Sequence, residues 1–175
     1  RVLVNGAGGS MGTFAVQMAA ARGAHITGVD SAAKLELIRE LGATETIDYA
    51  TTDPTQGDER YDLVLDVFAR RSVLEWRRVL TPTGAYRMVG GSTWRILSGF
   101  AVGTLVARTS DQQLGVLLGW PHSRRDMDEV NELLESGAIR SVIDRTYPLE
   151  EAAAAMRRVE DGLAHGKVVI TVGPA

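Results

Sequence analysis

The sequence predicts an α/β fold built on a parallel sheet, and three observations carry that expectation. Short apolar runs alternate with stretches of helical periodicity along most of the 175 residues. Runs such as "YDLVLDVF" at 61–68 have a strongly apolar centre, as strands covered on both faces do. The first run, "VLVN" at 2–5, gives way to a turn in which Gly6, Gly8, Gly9 and Gly12 fall within seven positions, just before a helix.

In chain order, the strand at 2–5 is followed by a helix that Ser10 can cap, with Met11, Phe14, Ala15, Met18 and Ala21 at helical spacing and Gly23 as its stop. "HITGVD" at 25–30 is a second strand ending on an acid. Ser31 to Leu41 is a helix with Leu35, Ile38 and Leu41 on one face, and Gly42 ends it. "TETIDY" at 44–49 is a third strand, and 51–60 is a polar loop with Pro54 and Gly57. The fourth strand, 61–68, leads to a helix at 71–80 with Val73, Trp76 and Leu80 apolar. Pro82 and Gly84 turn the chain into "AYRMVGG", a fifth strand. An apolar stretch at 93–108 reads as a core or interface helix, 114–120 as a sixth strand, and 123–135 as a helix carrying Met127, Val130 and Leu134. A strand-like "SVIDRTYPL", a helix near 150–161 and "GKVVITV" close the chain.

Composition bounds the function. Hydrophobic residues are 45% and charged residues 23%, as in globular domains, and the formal charge of −3 gives no reason to expect nucleic acid; Arg70-Arg71 is the nearest approach to a basic run. There is no cysteine, which removes disulfides, thiolate nucleophiles and cysteine-based metal sites. His25, His122 and His165 have no ligand spacing, so no metal is expected on this chain. No apolar run has the length of a membrane span and no signal peptide is visible, so a cytoplasmic location and no membrane partner are expected. The chain opens on Arg1, directly at a strand-like run and without Met, which points to a fragment of something longer.

Glycines between a strand and a helix have a specific use. A helix N-terminus offers free N–H groups and a positive dipole end to an anion. One glycine allows the tight turn, a second lets the backbone approach a pyrophosphate, and a third lets the helix lie close on the sheet. Gly6, Gly9 and Gly12 have the spacing G-x-x-G-x-x-G, a variant of the nucleotide fingerprint. A tight strand–helix turn with no ligand would explain glycines alone. Asp30, however, ends the second strand eighteen residues after Gly12, near the offset of an acid that binds the adenosine ribose. A dinucleotide is therefore expected. A carboxylate there repels the 2′-phosphate of NADP: two unit charges about 4 Å apart interact by roughly 4 kcal/mol at an effective dielectric of 20. That favours NAD, unless Ser31 and Lys34 reach the phosphate; Asp30 and Lys34 could also be a plain i,i+4 surface pair.

Taken together, "VLVNGAGGSMGTFAVQMAAARGA", "ELGATETIDY", "YDLVLDV", "LTPTGAYRMVGG", "VIDRTYPLEEAAAAM" and "GKVVITV" resemble the cofactor-binding half of a medium-chain dehydrogenase/reductase, nearest to the zinc-free, quinone-oxidoreductase-like branch. The resemblance runs almost end to end. It implies a doubly wound Rossmann sheet of order 3-2-1-4-5-6 at 1–140. It also implies a C-terminal segment, 141–175, that returns to an absent catalytic domain and whose strands would lack partners here. By the same resemblance Gly8, Gly9, Ser10, Met11 and Gly12 line the pyrophosphate. Asp30, Ser31 and Lys34 face the adenosine ribose with Tyr49 nearby, Val67 and Phe68 border a ribose, and Val89, Gly90 and Gly91 lie near the nicotinamide. Asp30 departs from the small residues common in NADPH-using members of that branch.

Hydride transfer asks the protein chiefly to position the nicotinamide, and no catalytic residue can be named. Asp62, Asp66, Asp144 and Glu150 read as isolated carboxylates, with Asp66 the best placed, at a strand end facing the cleft. The leading expectation is an NAD(P)-dependent oxidoreductase acting on a small quinone, enone, aldehyde or alcohol. A zinc alcohol dehydrogenase with its metal in the absent domain, and a non-enzymatic NAD(H) sensor, stay open. A methyltransferase would need a different sheet order. A homodimer is compatible with the apolar 93–120 stretch.

Overall fold

β1 (Val2–Asn5), β2 (Ile26–Asp30), β3 (Glu45–Asp48), β4 (Tyr61–Asp66), β5 (Leu80–Met88) and β6 (Gln113–Val116) form one sheet in the computed structural model, which describes residues 1–91, 93–106, 109–117 and 123–173. The sheet order is β3-β2-β1-β4-β5-β6 and every pair is parallel. This is the doubly wound arrangement, and it has a consequence for binding. The chain leaves β1 toward β2 and later leaves β3 to re-enter beside β1 as β4, so a crevice opens beyond the C-terminal ends of β1 and β4.

β1 and β2 serve two cores because their side chains alternate between faces. Leu3 of β1 joins Val29, Val64, Trp76, Tyr86 and Met88 on one side of the sheet; Val4 joins Ala7, Val16, Ile26, Ile38 and Leu41 on the other. All of these are buried, and each large aliphatic among them contributes about 1.5–3 kcal/mol on leaving water. The first face is covered by α3 (Val73–Arg77) and α4 (Thr93–Val106), the second by α1 (Gly12–Ala21) and α2 (Leu35–Glu40).

Several elements differ from expectation for identifiable reasons. Ser10 does not cap α1; the helix begins at Gly12 with no side-chain cap. Its buried stripe is Gly12, Thr13, Val16 and Gln17, while Met11 is 53% exposed. Gly12 sets that rotation: a Cβ there would lie 2.0 Å from the carbonyl oxygen of Gly6, so the bare side of the helix must face the strand end. The helix expected from Ser31 starts as a 3-10 turn at Ala32–Lys34 before α2, and the Lys34 side chain folds back to Asp30. Pro82 and Gly84 do not precede β5 but lie inside it. Tyr61 pairs with Leu80 and Leu63 with Ala85, so the extra residues on β5 are taken up in a register shift. α3 is shorter than the predicted 71–80 and starts at a capping box between Ser72 and Glu75.

α5 (Arg124–Glu135) has a Ser123–Asp126 capping box, yet Met127 and Leu134 stay exposed and the helix buries no residue. β7 (Ile143–Pro148) and β8 (Lys167–Thr171), joined through α6 (Ala152–Glu160), are not without partners: they pair with each other in parallel as a second sheet. Leu118–Trp120 of the expected sixth strand, Ala107 and Arg108 of the expected helix, and His122 lie outside the described residues. Among the described residues no helix is long and apolar enough to cross a membrane.

Candidate cofactor site

A cleft of about 440 Å3 lies at the crevice between β1 and β4. Asn5 and Gly6 form its floor, Asp30, Lys34 and Tyr49 one wall, and Val67 and Phe68 the other. The remaining wall comes from far along the chain: Val159, Gly162, Ala164 and Gly166 to Val169.

The glycine turn is built by backbone approach. Gly6 has φ +84°, a conformation glycine adopts at no steric cost, and turns the chain off β1. The amide of Gly9 donates to Gly6 O at 3.2 Å and that of Thr13 to Gly9 O at 3.0 Å. Among the described residues none accepts from the amides of Ser10, Met11 or Gly12. These are the orphan donors of a helix N-terminus, and they carry its positive end.

Lys167 adds a full charge at the same place. Its Nζ donates to Ser10 Oγ at 2.8 Å and lies 4.9 Å from the centre of the Phe14 ring. Gly166, its neighbour, donates its amide to Gly8 O at 2.8 Å and pairs with Gly9 as an isolated parallel bridge.

Asp30 is not the surface member of an i,i+4 pair. Asp30 and Lys34 are both buried, with Lys34 Nζ 3.6 Å from Asp30 Oδ1. The carboxylate also accepts from the Gly8 amide at 2.9 Å and from the Ser31 amide at 2.8 Å. A Cβ on Gly8 would meet the Lys34 chain at 2.7 Å, so Gly8 makes room for this pair and faces it rather than the cleft.

Of the predicted residues, the structure brings Gly6, Gly9, Ser10, Asp30, Lys34, Tyr49, Val67 and Phe68 together in the cleft; Gly8, Met11, Gly12, Ser31, Val89, Gly90 and Gly91 are not among its lining. Gly12 lies behind the turn, where it lets the helix pack. Gly90 lies behind the Val67 wall, where a Cβ would come within 3.6 Å of Val67 O. Asn5, Gly166 and Lys167 were missed. The Gly-Lys pair opening the last strand is visible in the sequence, but nothing local announces that it returns to Ser10.

Asp66 faces the core instead of the cleft. It is fully buried and accepts from Asn5 Nδ2 at 2.7 Å and from the Tyr86 hydroxyl at 2.8 Å. Burial raises its pKa above the ordinary aspartate value, against those hydrogen bonds. Burial, with the adjacent Asp66 carboxyl, also pushes the Tyr86 phenol up. Asp144 is not an isolated carboxylate either: it is half-buried against Arg158, whose Nη2 donates to Oδ1 at 2.9 Å, and this partner lowers its pKa.

Residues 41–170 match the family model described as zinc-binding dehydrogenase. The chain belongs to that family. The mitochondrial NAD(P)H oxidoreductase RTN4IP1 of Mus musculus is 35% identical over 98% of this chain and 48% of its own length. The trans-enoyl reductase pgmF of Aspergillus terreus is 28% identical over 98% of the chain and 51% of its own. Among solved structures, the quinone oxidoreductase of Coxiella burnetii superposes with a TM-score of 0.84 at 22% identity, covering 98% of this chain and 52% of that one, a likeness of fold. The chain spans about half the length of the curated relatives it matches.

The family name raises zinc. The sequence has no cysteine, and among the described residues no three His, Asp or Glu gather as ligands, so these residues do not fit a zinc site. A nicotinamide dinucleotide fits better. The orphan amides, the glycine turn and Lys167 make a cradle that would suit a diphosphate, and the apolar Val67 and Phe68 wall would suit a sugar or ring.

Proposed function

We propose that this chain is the dinucleotide-holding part of an NAD(P)-dependent oxidoreductase that moves a hydride between the nicotinamide and a quinone, enone, aldehyde or alcohol. The observation that carries the reading is the meeting of the Ser10–Gly12 amides and the Lys167 ammonium at the crevice between β1 and β4. Relatives named as NAD(P)H oxidoreductase and trans-enoyl reductase support it. In this reading residues 1–140 hold the dinucleotide, and 141–175 return toward a catalytic domain in the longer protein.

A bound dinucleotide would supply or accept the hydride. The free amides of Ser10, Met11 and Gly12 would hold the diphosphate, and Lys167 would offset its charge. Tyr49 and Asp30 border the adenosine ribose, and Val67 and Phe68 exclude water from the middle of the cofactor. Val89, Gly90 and Gly91 lie outside the lining of this cleft, and Gly90 backs the Val67 wall. NAD is the preferred form: Lys34 already has its charge matched by Asp30, and a 2′-phosphate would have to displace that carboxylate to use it.

Calorimetric titration of the chain with NADH and with NADPH tests the reading. Binding with a preference for NADH is expected, and Asp30→Asn, which keeps an oxygen for the Gly8 amide, should narrow that preference. Absence of binding by either nucleotide would contradict the assignment.

A further inference from the structure

Gln17 takes no part in the cradle, yet its amide pairs with both backbone groups of one distant residue. It is buried on α1. Its Nε2 donates to Arg140 O at 3.0 Å and to Thr13 O at 2.9 Å, while its Oε1 accepts from Arg140 N at 2.8 Å. The side chain thus treats the Arg140 backbone as a neighbouring strand would.

What lies downstream of Arg140 gives this contact a purpose. Val142 is buried in the same core as Val16, and its carbonyl accepts from the Lys167 amide at 2.8 Å. Gly166 presses so closely on Val142 that a Cβ would lie 2.5 Å from the Val142 oxygen. Gly166 then donates to Gly8 O, and the Lys167 ammonium reaches Ser10. An unbroken series of contacts runs from the middle of α1, out through the returning segment, and back to the N-terminal end of the same helix.

We propose that Gln17 is a positioning residue for dinucleotide binding: by fixing the backbone at Arg140 it sets the place at which Val142 presents Gly166 and Lys167 to the glycine turn. The proposal rests on the dinucleotide reading above. The chemistry explains the residue type. A side-chain amide carries on separate atoms the donor for the Arg140 carbonyl and the acceptor for the Arg140 N–H. Leucine has similar bulk and would leave both backbone groups unpaired; glutamate would keep the acceptor and lose the donor.

The test titrates NADH and NADPH into the 175-residue chain and its variants Gln17→Leu, Gln17→Glu, Lys167→Met and the double variant that combines Gln17→Leu with Lys167→Met, all below their unfolding midpoints, and follows amide hydrogen exchange at positions 166 and 167. Gln17→Leu should weaken binding about tenfold and speed exchange at those two amides, with Gln17→Glu intermediate. Lys167→Met alone should weaken binding, and adding Gln17→Leu to it should cost little more, because the two act through one contact. A residue that only stabilises the fold would lower the midpoint and leave the affinity of folded protein unchanged. If the parent chain binds and Gln17→Leu binds equally well, or if the two losses simply add, the proposal is overturned. Should Gln17→Leu fail to fold, unaltered affinity in Gln17→Glu overturns it equally. A parent chain that binds neither nucleotide instead defeats the dinucleotide reading, and this inference with it.

Discussion

Two of the stretches that line the cleft, the glycine turn as a first wall and the C-terminal residues as a second, are held by different means. The turn at 6–12 is fixed by backbone against backbone: Gly12 presses on the Gly6 carbonyl, and Gly9 and Thr13 close the loop with their amides. Residues 139–173 are fixed to the rest of the protein by the buried Val142 and by a few polar contacts, the Gln17 amide on Arg140, Gly166 on Gly8 and Lys167 on Ser10, and are tied within themselves by Arg158 on Asp144. β7 and β8 present mostly exposed or half-exposed residues. The first wall has no room to change. The second can loosen as a unit while the six-stranded sheet keeps its cores, since local opening follows the regions with fewest buried contacts.

The largest effect should come from crowding the first wall. Gly12→Ala places a methyl where only 2.0 Å is available to the Gly6 oxygen, and should cost about 3 kcal/mol of stability in urea denaturation, along with dinucleotide binding. A mild effect there would mean that the turn yields more than its packing implies.

The second wall should fail separately. Arg158→Met leaves the half-buried Asp144 without its partner, and hydrogen exchange should quicken across 143–171 while β1, β4 and β5 stay protected. Arg158 lowers the pKa of Asp144, so the stability this pair contributes is present above the usual aspartate range and is lost as pH falls through the lowered value. The variant should lack that acid-side loss. Equal loss of protection in both regions would erase the distinction drawn between them.

Asp66 gives the opposite sign within the sheet. Burial raises its pKa, so the folded form holds the proton more tightly than the unfolded chain does. The stability it contributes is complete below the ordinary aspartate value and falls as pH rises through the raised one. Asp66→Asn should remove that decline, a change visible as a flatter melting temperature against pH. The smallest effect is expected far from both walls: Ser123→Ala removes the cap of α5 and should cost about 1 kcal/mol, leaving nucleotide affinity unchanged.

The sheet and the glycine turn were legible because their signals are local. A strand run, a glycine spacing and an acid at the next strand end all lie within the first 30 residues, and together they placed Gly6, Gly9, Ser10 and Asp30 in the cleft. The rotation of α1 was not legible, since Met11, Phe14 and Met18 give a plausible apolar stripe and only the close approach of Gly12 to Gly6 excludes it. Asp66 and Asp144 looked alike as lone carboxylates; their partners, Tyr86 and Arg158, are 20 and 14 residues away. Lys167 was missed for the same reason at greater range, 157 residues from Ser10.

The central claim is that a diphosphate is received by the free amides at the start of α1. The most direct measurement follows the 15N-amide resonances of Ser10, Met11 and Gly12 while NADH or NADPH is added. The account predicts that these three shift together and saturate with the binding curve. If the nucleotide binds while they stay in place, the cradle has been assigned to the wrong part of the molecule.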